Sequence, residues 1–395
     1  MSVLPLTGVV RPYAWGSRNL IAELQGRPAP TDEPEAELWL GAHPGDPATV
    51  AAKDGPVSLE ALIAGDPKGQ LGEPVLEAFG PRLPFLLKVL AAAAPLSLQA
   101  HPDLEYAKRA YARQEADSSL PRNYTDANHK PEMLVAITPF EALCGFREPV
   151  AAAEALDAFG LASLAPVVEA LRGGDLRTAV RSLLTWPADD RDQLGGVVAA
   201  TAQRAGSHHP QAASLALAAD LAQHYPGDPG VLVALLLNHV RLAPGEAIWM
   251  PAGNLHAYLR GAGVELMAAS DNVLRGGLTP KRVDVDELLN VLRFEVLDDP
   301  ILRSAEVAPG VSTWQVPIPD FQLLRVELDG ARPPVEVPAT GPRIILATAG
   351  DVFVGESVDG TPVELTPGRA AYASADAGAI KVAGTGQAFV AAVPA

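Results

Sequence analysis

Short apolar runs broken by proline and glycine fill the N-terminal part of the chain. The runs at residues 37–40, 85–90 and 96–101 are bounded by turn-forming residues. Runs of this length and composition are typical of β-strands. The same texture returns from Val231 and continues to the C-terminus, apart from a helical stretch at residues 283–292. The pattern therefore predicts a mainly β protein.

One long segment, residues 148–230, departs from this pattern. It is rich in Ala, Leu and Glu, and its apolar residues recur at helical spacing, as at Leu176 and Val180. Helix breaks are expected at Gly173-Gly174 and at Pro187. We interpret the segment as a helical insertion within the β protein.

Three domains follow from this division, because 395 residues exceed one ordinary hydrophobic core. Residues 1–147 and 231–320 are expected to form a β-barrel that carries the chemistry. Residues 148–230 form the α-helical domain. Residues 321–395, which contain few reactive side chains, are expected to form a second, jelly-roll-like β-sandwich.

Charge and cysteine content narrow the function classes. The chain has 47 acidic and 30 Lys or Arg residues, a formal net charge of −17, which argues against a nucleic-acid partner. The single cysteine, Cys144, is typical of a reducing compartment. The apolar runs are too short to cross a membrane. We therefore expect a cytoplasmic protein without nucleic-acid or membrane partners.

The first candidate for chemistry is the predicted strand at residues 96–101. Side chains alternate along a strand, so Ser97, Gln99 and His101 share one face, and the intervening residues are apolar. This pattern fits a barrel wall with a polar interior. A half-exposed strand would have the same pattern.

Lys130 and Glu132 form a second polar pair, in the segment at residues 128–135. Alternation places both on one face, with apolar residues on the other. His129 has the opposite parity and would need a bulge or a strand end to reach the same side.

The most specific pattern is Gly, five residues, Pro-x-Gly, two residues, His. It runs from Gly245 through Pro251 and Gly253 to His256. The Gly and Pro-x-Gly positions shape a tight turn, after which His256 begins a strand. This spacing resembles the second motif of the cupin fold, although Arg260 stands where that motif often has Asn.

These segments together offer two imidazole nitrogens and two side-chain oxygens. The candidate metal ligands are Gln99, His101, Glu132 and His256. Such a set suits one Zn²⁺ per chain, although iron oxygenases use similar ligand types. A last segment places Arg275 and Lys281 around a Gly-Gly turn, where they are candidates for an anionic group or simply solvated bases.

The motifs, in this order, resemble the type I mannose-6-phosphate isomerases of the cupin superfamily. The strings that carry the resemblance are Tyr13-Ala14-Trp15-Gly16, Glu37-Leu38-Trp39-Leu40-Gly41, Leu86-Leu87-Lys88-Val89-Leu90, Gln99-Ala100-His101-Pro102-Asp103, Asn128-His129-Lys130-Pro131-Glu132, residues 251–258 and residues 269–281. Leu255 and Gly276 depart from common family residues without removing a functional group.

The resemblance implies an aldose–ketose isomerase that interconverts mannose 6-phosphate and fructose 6-phosphate, with zinc on the same four ligands. It implies that Arg275 is the catalytic arginine, whether it stabilises the enediolate or holds the phosphate. The active-site lining that it implies comprises Trp15, Glu37, Ser97, Lys130, Tyr258, Glu265, Asp271 and Lys281.

Isomerisation through an enediolate requires a base that faces C1 and C2 and positive charge near the oxyanion. We expect Lys130 or Glu265 to be the base, with His129 as a third candidate for ring opening. Ser97 and Lys281 are the candidates for phosphate binding. The substrate is a small sugar phosphate, and we expect a monomer.

Three other functions remain open from the sequence, one of them a related isomerase with a different epimer or aldose preference. Another metallo-cupin, such as an iron oxygenase, would use a similar ligand set. A non-catalytic sugar-phosphate binder on the same scaffold would bind without turnover.

Overall fold

A computed structural model of the chain describes residues 3–52, 55–205, 208–356 and 362–394. It contains two antiparallel 11-stranded sheets and a group of helices. The strands are β1 (Val3–Thr7), β2 (Val9–Arg11), β3 (Glu37–Leu40), β4 (Thr49–Ala52), β5 (Gly55–Ser58), β6 (Phe85–Ala92), β7 (Gln99–Ala100), β8 (Glu132–Ala136), β9 (Phe140–Phe146), β10 (Leu237–Leu242), β11 (Ala247–Met250), β12 (His256–Ala268), β13 (Leu274–Arg275), β14 (Ile301–Leu302), β15 (Ala305–Ala308), β16 (Val311–Thr313), β17 (Gln322–Asp329), β18 (Val335–Glu336), β19 (Arg343–Gly355), β20 (Val363–Leu365), β21 (Ala370–Ala373) and β22 (Lys381–Ala392). The helices are α1 (Leu20–Leu24), α2 (Leu59–Gly65), α3 (Pro67–Leu71), α4 (Glu73–Phe79), α5 (Leu104–Ala116), α6 (Pro149–Asp157), α7 (Ala165–Arg172), α8 (Leu176–Leu184), α9 (Ala188–Ala205), α10 (Ala212–His224), α11 (Gly230–Val233) and α12 (Val285–Val291).

The first sheet, made of β2, β3 and β6–β14, contains the residues predicted to form the catalytic barrel, and its longest strand, β12, connects the two halves of the wall. The first residues of β12 pair with β7 and β9, and its later residues pair with β6 and β8. His256 is the first residue of β12, as the turn pattern predicts. The same strand therefore contributes side chains to both halves of the interior.

Strand β6 explains how the barrel is held against the second sheet. All eight of its residues are buried, because both faces are covered. Leu87 and Val89 pack in a cluster that includes Phe389 of the second sheet. Burying a side chain of this size contributes about 1.5–3 kcal/mol. Lys88, which has the opposite parity, faces the interior of the barrel.

Six of the 11 strands of the second sheet, β17–β22, lie in residues 321–395, whereas β15 and β16 lie in the range assigned to the catalytic barrel. The strand order of this sheet is β15-β16-β17-β22-β19-β21-β1-β4-β5. The N-terminal strands β1, β4 and β5 therefore belong to this sheet, although their sequence lies within the range assigned to the catalytic barrel. The division into three domains stays a prediction, and this pairing limits how sharply it can be drawn along the sequence.

Helices occupy the predicted insertion. Gly173 and Gly174 separate α7 from α8, and Pro187 separates α8 from α9, as expected. The return to strand comes later than predicted, because residues 230–236 are helical and β10 begins at Leu237. Periodicity could not detect this, since the whole apolar run is buried. No helix in the described ranges is long and apolar enough to span a membrane.

Two predicted strands are shorter in the structure. The run at 96–101 is a strand only at Gln99 and Ala100, and residues 128–131 form a loop before β8 begins at Glu132. Pro102 and Pro131 flank these segments and cannot donate to a ladder, which explains the short strands.

Candidate metal centre and active site

Three side chains converge at the ends of barrel strands. His101 directly follows β7, Glu132 begins β8 and His256 begins β12. One ligand atom from each lies within 4.8 Å of the others, and all three side chains are buried. The centroids of the two imidazole rings are 5.2 Å apart. The strand and turn positions predicted from the sequence therefore bring these three side chains together.

Backbone carbonyls determine the tautomers of both imidazoles. His101 Nδ1 donates to the carbonyl of Asn272 at 2.7 Å, and His256 Nδ1 donates to the carbonyl of Asn254 at 3.1 Å. A carbonyl can only accept, so Nδ1 carries the proton in each ring and the neutral ring has a bare Nε2. Burial lowers the pKa of His101 to about 4, which keeps its ring neutral.

Nε2 of His101 and Nε2 of His256 both point at the Glu132 carboxylate. This arrangement favours the binding of a cation between them. Nε2 of His101 lies 3.3 Å from Glu132 Oε2, and Nε2 of His256 lies 3.2 Å from the same oxygen. His101 Nε2 is buried and has no hydrogen-bond partner among the described residues. Lone pairs that face one another at these distances repel. Two imidazoles and a carboxylate fit Zn²⁺, whose ligands bond through such lone pairs.

Glu132 is ionised and ready to act as a ligand. Burial alone would raise its pKa, but Lys130 and His101 hold that pKa well below its usual range. The Lys130 ammonium lies 2.7 Å from Glu132 Oε1, the oxygen that does not face the imidazoles. Both side chains are buried. The pair therefore leaves Glu132 Oε2 for the metal.

Strand register places two more predicted residues beside the triad. Gln99 pairs with His256 across β7 and β12, and with Arg275 across β7 and β13. Directly opposed residues of antiparallel strands share a face, with Cβ atoms about 4.5–5.5 Å apart. Arg275 is half-buried, and burial lowers the pKa of its guanidinium. The register supports Gln99 as a fourth ligand, and that assignment stays a prediction.

A buried charged group lines the barrel next to the triad. Lys88 Nζ lies 3.2 Å from Glu265 Oε2 and 3.6 Å from Glu37 Oε1. Burial would lower the pKa of Lys88, but Glu37, Glu265 and Glu132 raise it above its usual range, so the ammonium stays charged. Burial raises the pKa of Glu265, and its coupling to Glu132 adds to the effect.

Aromatic donors complete this group. The Tyr258 hydroxyl donates to Glu265 Oε1 at 2.7 Å, and Trp39 Nε1 donates to Glu37 Oε2 at 2.6 Å. Burial raises the pKa of Tyr258 well above its usual value, so the phenol stays protonated. Glu37, Tyr258 and Glu265 thus lie together, as the predicted lining requires.

Four other predicted residues are placed differently. His129 Nε2 contacts both carboxylate oxygens of Asp320, just before β17 of the second sheet. No hydrogen bond, ion pair or ring contact joins His129, Trp15, Ser97 or Lys281 to the triad in the described ranges. Trp15 stacks on Tyr13, Ser97 is half-buried and Lys281 is exposed. Their predicted roles in the reaction stay predictions, and the geometry counts against His129.

Comparisons with known proteins agree with this site. The family model for the type I phosphomannose isomerase catalytic domain matches residues 3–149. Mannose-6-phosphate isomerase of Salmonella typhimurium is 35% identical over 398 residues, covering 97% of each chain. The Homo sapiens enzyme of the same name is 33% identical over 409 residues, covering 95% of this chain and 94% of its own.

Solved structures of mannose 6-phosphate isomerase are also similar to this chain. A zinc-bound holo crystal structure of mannose 6-phosphate isomerase has a TM-score of 0.91 at 32% identity, with 100% of both chains covered. A structure of the enzyme bound with zinc and yttrium has a TM-score of 0.90. The chain belongs to the type I phosphomannose isomerase family. This membership, together with the triad, confirms the predicted cupin-type fold, isomerase activity and zinc cofactor.

Two residues at or near this phosphomannose isomerase site, Lys88 and His43, were not predicted from the sequence. Lys88 could have been identified from the sequence, because it is the only charged residue in the buried strand β6. His43 hydrogen-bonds to Asp271 at 3.0 Å, a contact between residues far apart in the chain. Local patterns carry no signal for such a pair.

Proposed function

We propose that this chain interconverts mannose 6-phosphate and fructose 6-phosphate with zinc held by Gln99, His101, Glu132 and His256. The observation that supports this ligand set is the buried triad, in which Nε2 of each imidazole faces the same oxygen of Glu132. Bound there, zinc would supply a Lewis acid that polarises the oxygens of the reacting sugar.

Glu265 is the base that we propose for moving the proton between C1 and C2. Burial raises the pKa of its carboxyl above the usual range, which makes the carboxylate a stronger base than an exposed one. Tyr258 and Lys88 fix its two oxygens at 2.7 and 3.2 Å, which limits its motion. Lys130, the other candidate, forms an ion pair with Glu132 and would have to lose its proton before acting as a base.

Positive charge for the developing oxyanion comes from residues around the triad. Lys130, which contacts Glu132, and Arg275, which pairs with Gln99, are the cationic donors that we propose. Preorganised charge of this kind acts strongly inside a buried site. Lys281 is exposed and Ser97 half-buried, and we propose that they bind the phosphate group at the entrance.

The remaining partner predictions extend this proposal. We infer a monomer that works in the cytoplasm on a small sugar phosphate, without nucleic-acid or membrane partners. The net charge of −17 supports the exclusion of nucleic acid. The single buried cysteine is compatible with a reducing compartment.

Metal analysis combined with a coupled assay tests the proposal. Purified protein should contain about one zinc per chain and convert mannose 6-phosphate to fructose 6-phosphate. A chelator should abolish turnover, and added zinc should restore it. Iron in the purified protein together with oxygen consumption would favour an oxygenase instead. Tight sugar-phosphate binding by zinc-loaded protein without turnover would favour a binding protein.

A further inference from the structure

The Asp271 carboxylate is held by a histidine that lies outside the predicted site. His43 Nε2 is 3.0 Å from Asp271 Oδ2. His43 follows β3, whereas Asp271 follows β12, so the contact links two separate parts of the barrel rim. Both residues line a cavity of about 390 Å³ at this rim. The contact therefore lies where a ligand can reach it.

The loop after β3 determines which nitrogen of His43 carries the proton. The backbone N–H of Gly45 donates to His43 Nδ1 at 3.1 Å, so Nδ1 is the acceptor. Nε2 of the neutral ring must then be protonated and donates to Asp271. The ring also packs edge-on against Trp39, with centroids 4.8 Å apart. Its position and tautomer are thus both fixed.

Asp271 lies close enough to the charged interior of the barrel for its lysines to act on the carboxylate. Its backbone N–H donates to Asp126 Oδ2 at 3.0 Å, which fixes the main chain. Lys130 and Lys88 are among the charges that act on its carboxylate, so it lies within their electrostatic reach. The next residue in the chain, Asn272, accepts the hydrogen bond from His101. Asp271 is therefore a neighbour of the metal ligands.

Only one Asp271 oxygen is occupied by the protein. His43 takes Oδ2, and Oδ1 has no protein partner among the described residues. The side chain is half exposed, at 50%, whereas His43 is 12% exposed. An ionised carboxylate with one fixed and one open oxygen is a strong acceptor for a hydroxyl group. The hydrogen bond from His43 lowers the pKa of Asp271, which keeps it ionised.

We propose that His43 is a positioning residue that orients Asp271 so that its free oxygen accepts a hydroxyl of the sugar phosphate. The inference rests on the proposed function, because it deepens the account of the same site. His43 does not touch the substrate and acts through Asp271. Since a hydroxyl contact binds substrate and transition state alike, losing it should raise KM more than it lowers kcat.

His43→Asn is the main test. The shorter amide can still accept from Gly45 through its oxygen, but it cannot reach Asp271. We expect KM for mannose 6-phosphate to rise about tenfold, as for the loss of a hydrogen bond to a charged group, while kcat changes less than threefold. Zinc content and melting temperature should stay near those of the wild type. His43→Gln, whose longer amide can reach Asp271, should restore KM to within about threefold.

A double-mutant cycle separates this role from a merely structural one. Asp271→Asn should raise KM by itself, and adding His43→Asn should raise it no further. His43→Phe, which keeps the ring on Trp39 but has no N–H, should match His43→Asn if either variant folds poorly. Additive effects, or a KM within twofold of wild type in a folded variant, would refute the inference. Wild-type protein without isomerase activity would instead refute the proposed function.

Discussion

His129 Nε2 lies 2.9 Å from Oδ1 and 3.0 Å from Oδ2 of Asp320. The histidine belongs to the loop that leads into Glu132, and Asp320 immediately precedes Phe321 and the second sheet. Asp320 is buried at 4% exposure. The contact links the loop before Glu132 to the segment just before β17 of the second sheet, and it occupies Nε2 of the ring.

Removing this contact should affect stability more than turnover. We expect Asp320→Ala to lower the free energy of unfolding by about 1–3 kcal/mol, because His129 loses a part-buried charge-assisted partner. The change in kcat should stay below about tenfold. Urea denaturation and steady-state kinetics measure the two effects, with exposed Asp298→Ala as the matched control. A hundredfold loss of kcat in a stable His129→Gln variant would return His129 to the catalytic set.

Substitution of the triad should remove metal and activity together. His101→Ala, Glu132→Ala and His256→Ala each delete one donor from a cluster within 4.8 Å, so zinc should fall well below one per chain. Gln99→Ala deletes the fourth proposed ligand, so its zinc content and activity should fall as well. Elemental analysis after dialysis measures this. Exposed His224→Ala serves as the control. Stoichiometric zinc in two of the triad variants would overturn the ligand assignment.

Arg275 should separate catalysis from metal binding. We expect Arg275→Ala to keep its zinc but to lose turnover by about 100- to 1,000-fold, the range for removing a donor to a developing oxyanion. Exposed Arg282→Ala, which removes the same charge a short distance away, should behave like the wild type. The coupled assay and metal analysis are run on the same preparations. Normal turnover in Arg275→Ala would mean that another residue provides this charge.

Cys144 should be unreactive in the folded protein. Burial raises the pKa of its thiol to about 12. The unfolded chain therefore releases this proton at lower pH than the folded one, so Cys144 makes unfolding more favourable as pH rises from about 9 toward 12. Iodoacetamide at pH 8.5 should label it slowly in native protein and rapidly in urea, because the thiolate is the nucleophile. Equal rates in both states would show that the thiol is accessible.

The metal ligands were predictable because local patterns fix them. Alternation along strands grouped Gln99 with His101, and the Pro-x-Gly turn placed His256 at the start of β12, where the structure has it. Lys88 gives only a weak signal in the sequence. A single lysine in an apolar strand also occurs where the strand lies at the exposed edge of a sheet. The meaning of Lys88 depends on Glu37 and Glu265, which come from other strands.

Pairs that join remote segments lie beyond such patterns. Two such contacts are His43–Asp271 and His129–Asp320. Each depends on how the tertiary fold brings separate loops together. His129 was considered for catalysis because it neighbours Lys130 in the chain. The structure instead places its ring against Asp320, in the loop before β17, because residues 128–131 form a loop and not a strand.

Strand β1 carries a consequence for synthesis of the chain. Val3 of β1 pairs with Ala373 of β21, so this pairing cannot form until β21 has been synthesised. Pairing over so long a separation closes slowly and leaves an unpaired strand edge available to other molecules meanwhile. Newly made enzyme should therefore become protected from proteases only after β21 has emerged from the ribosome, even though the predicted zinc ligands emerge much earlier.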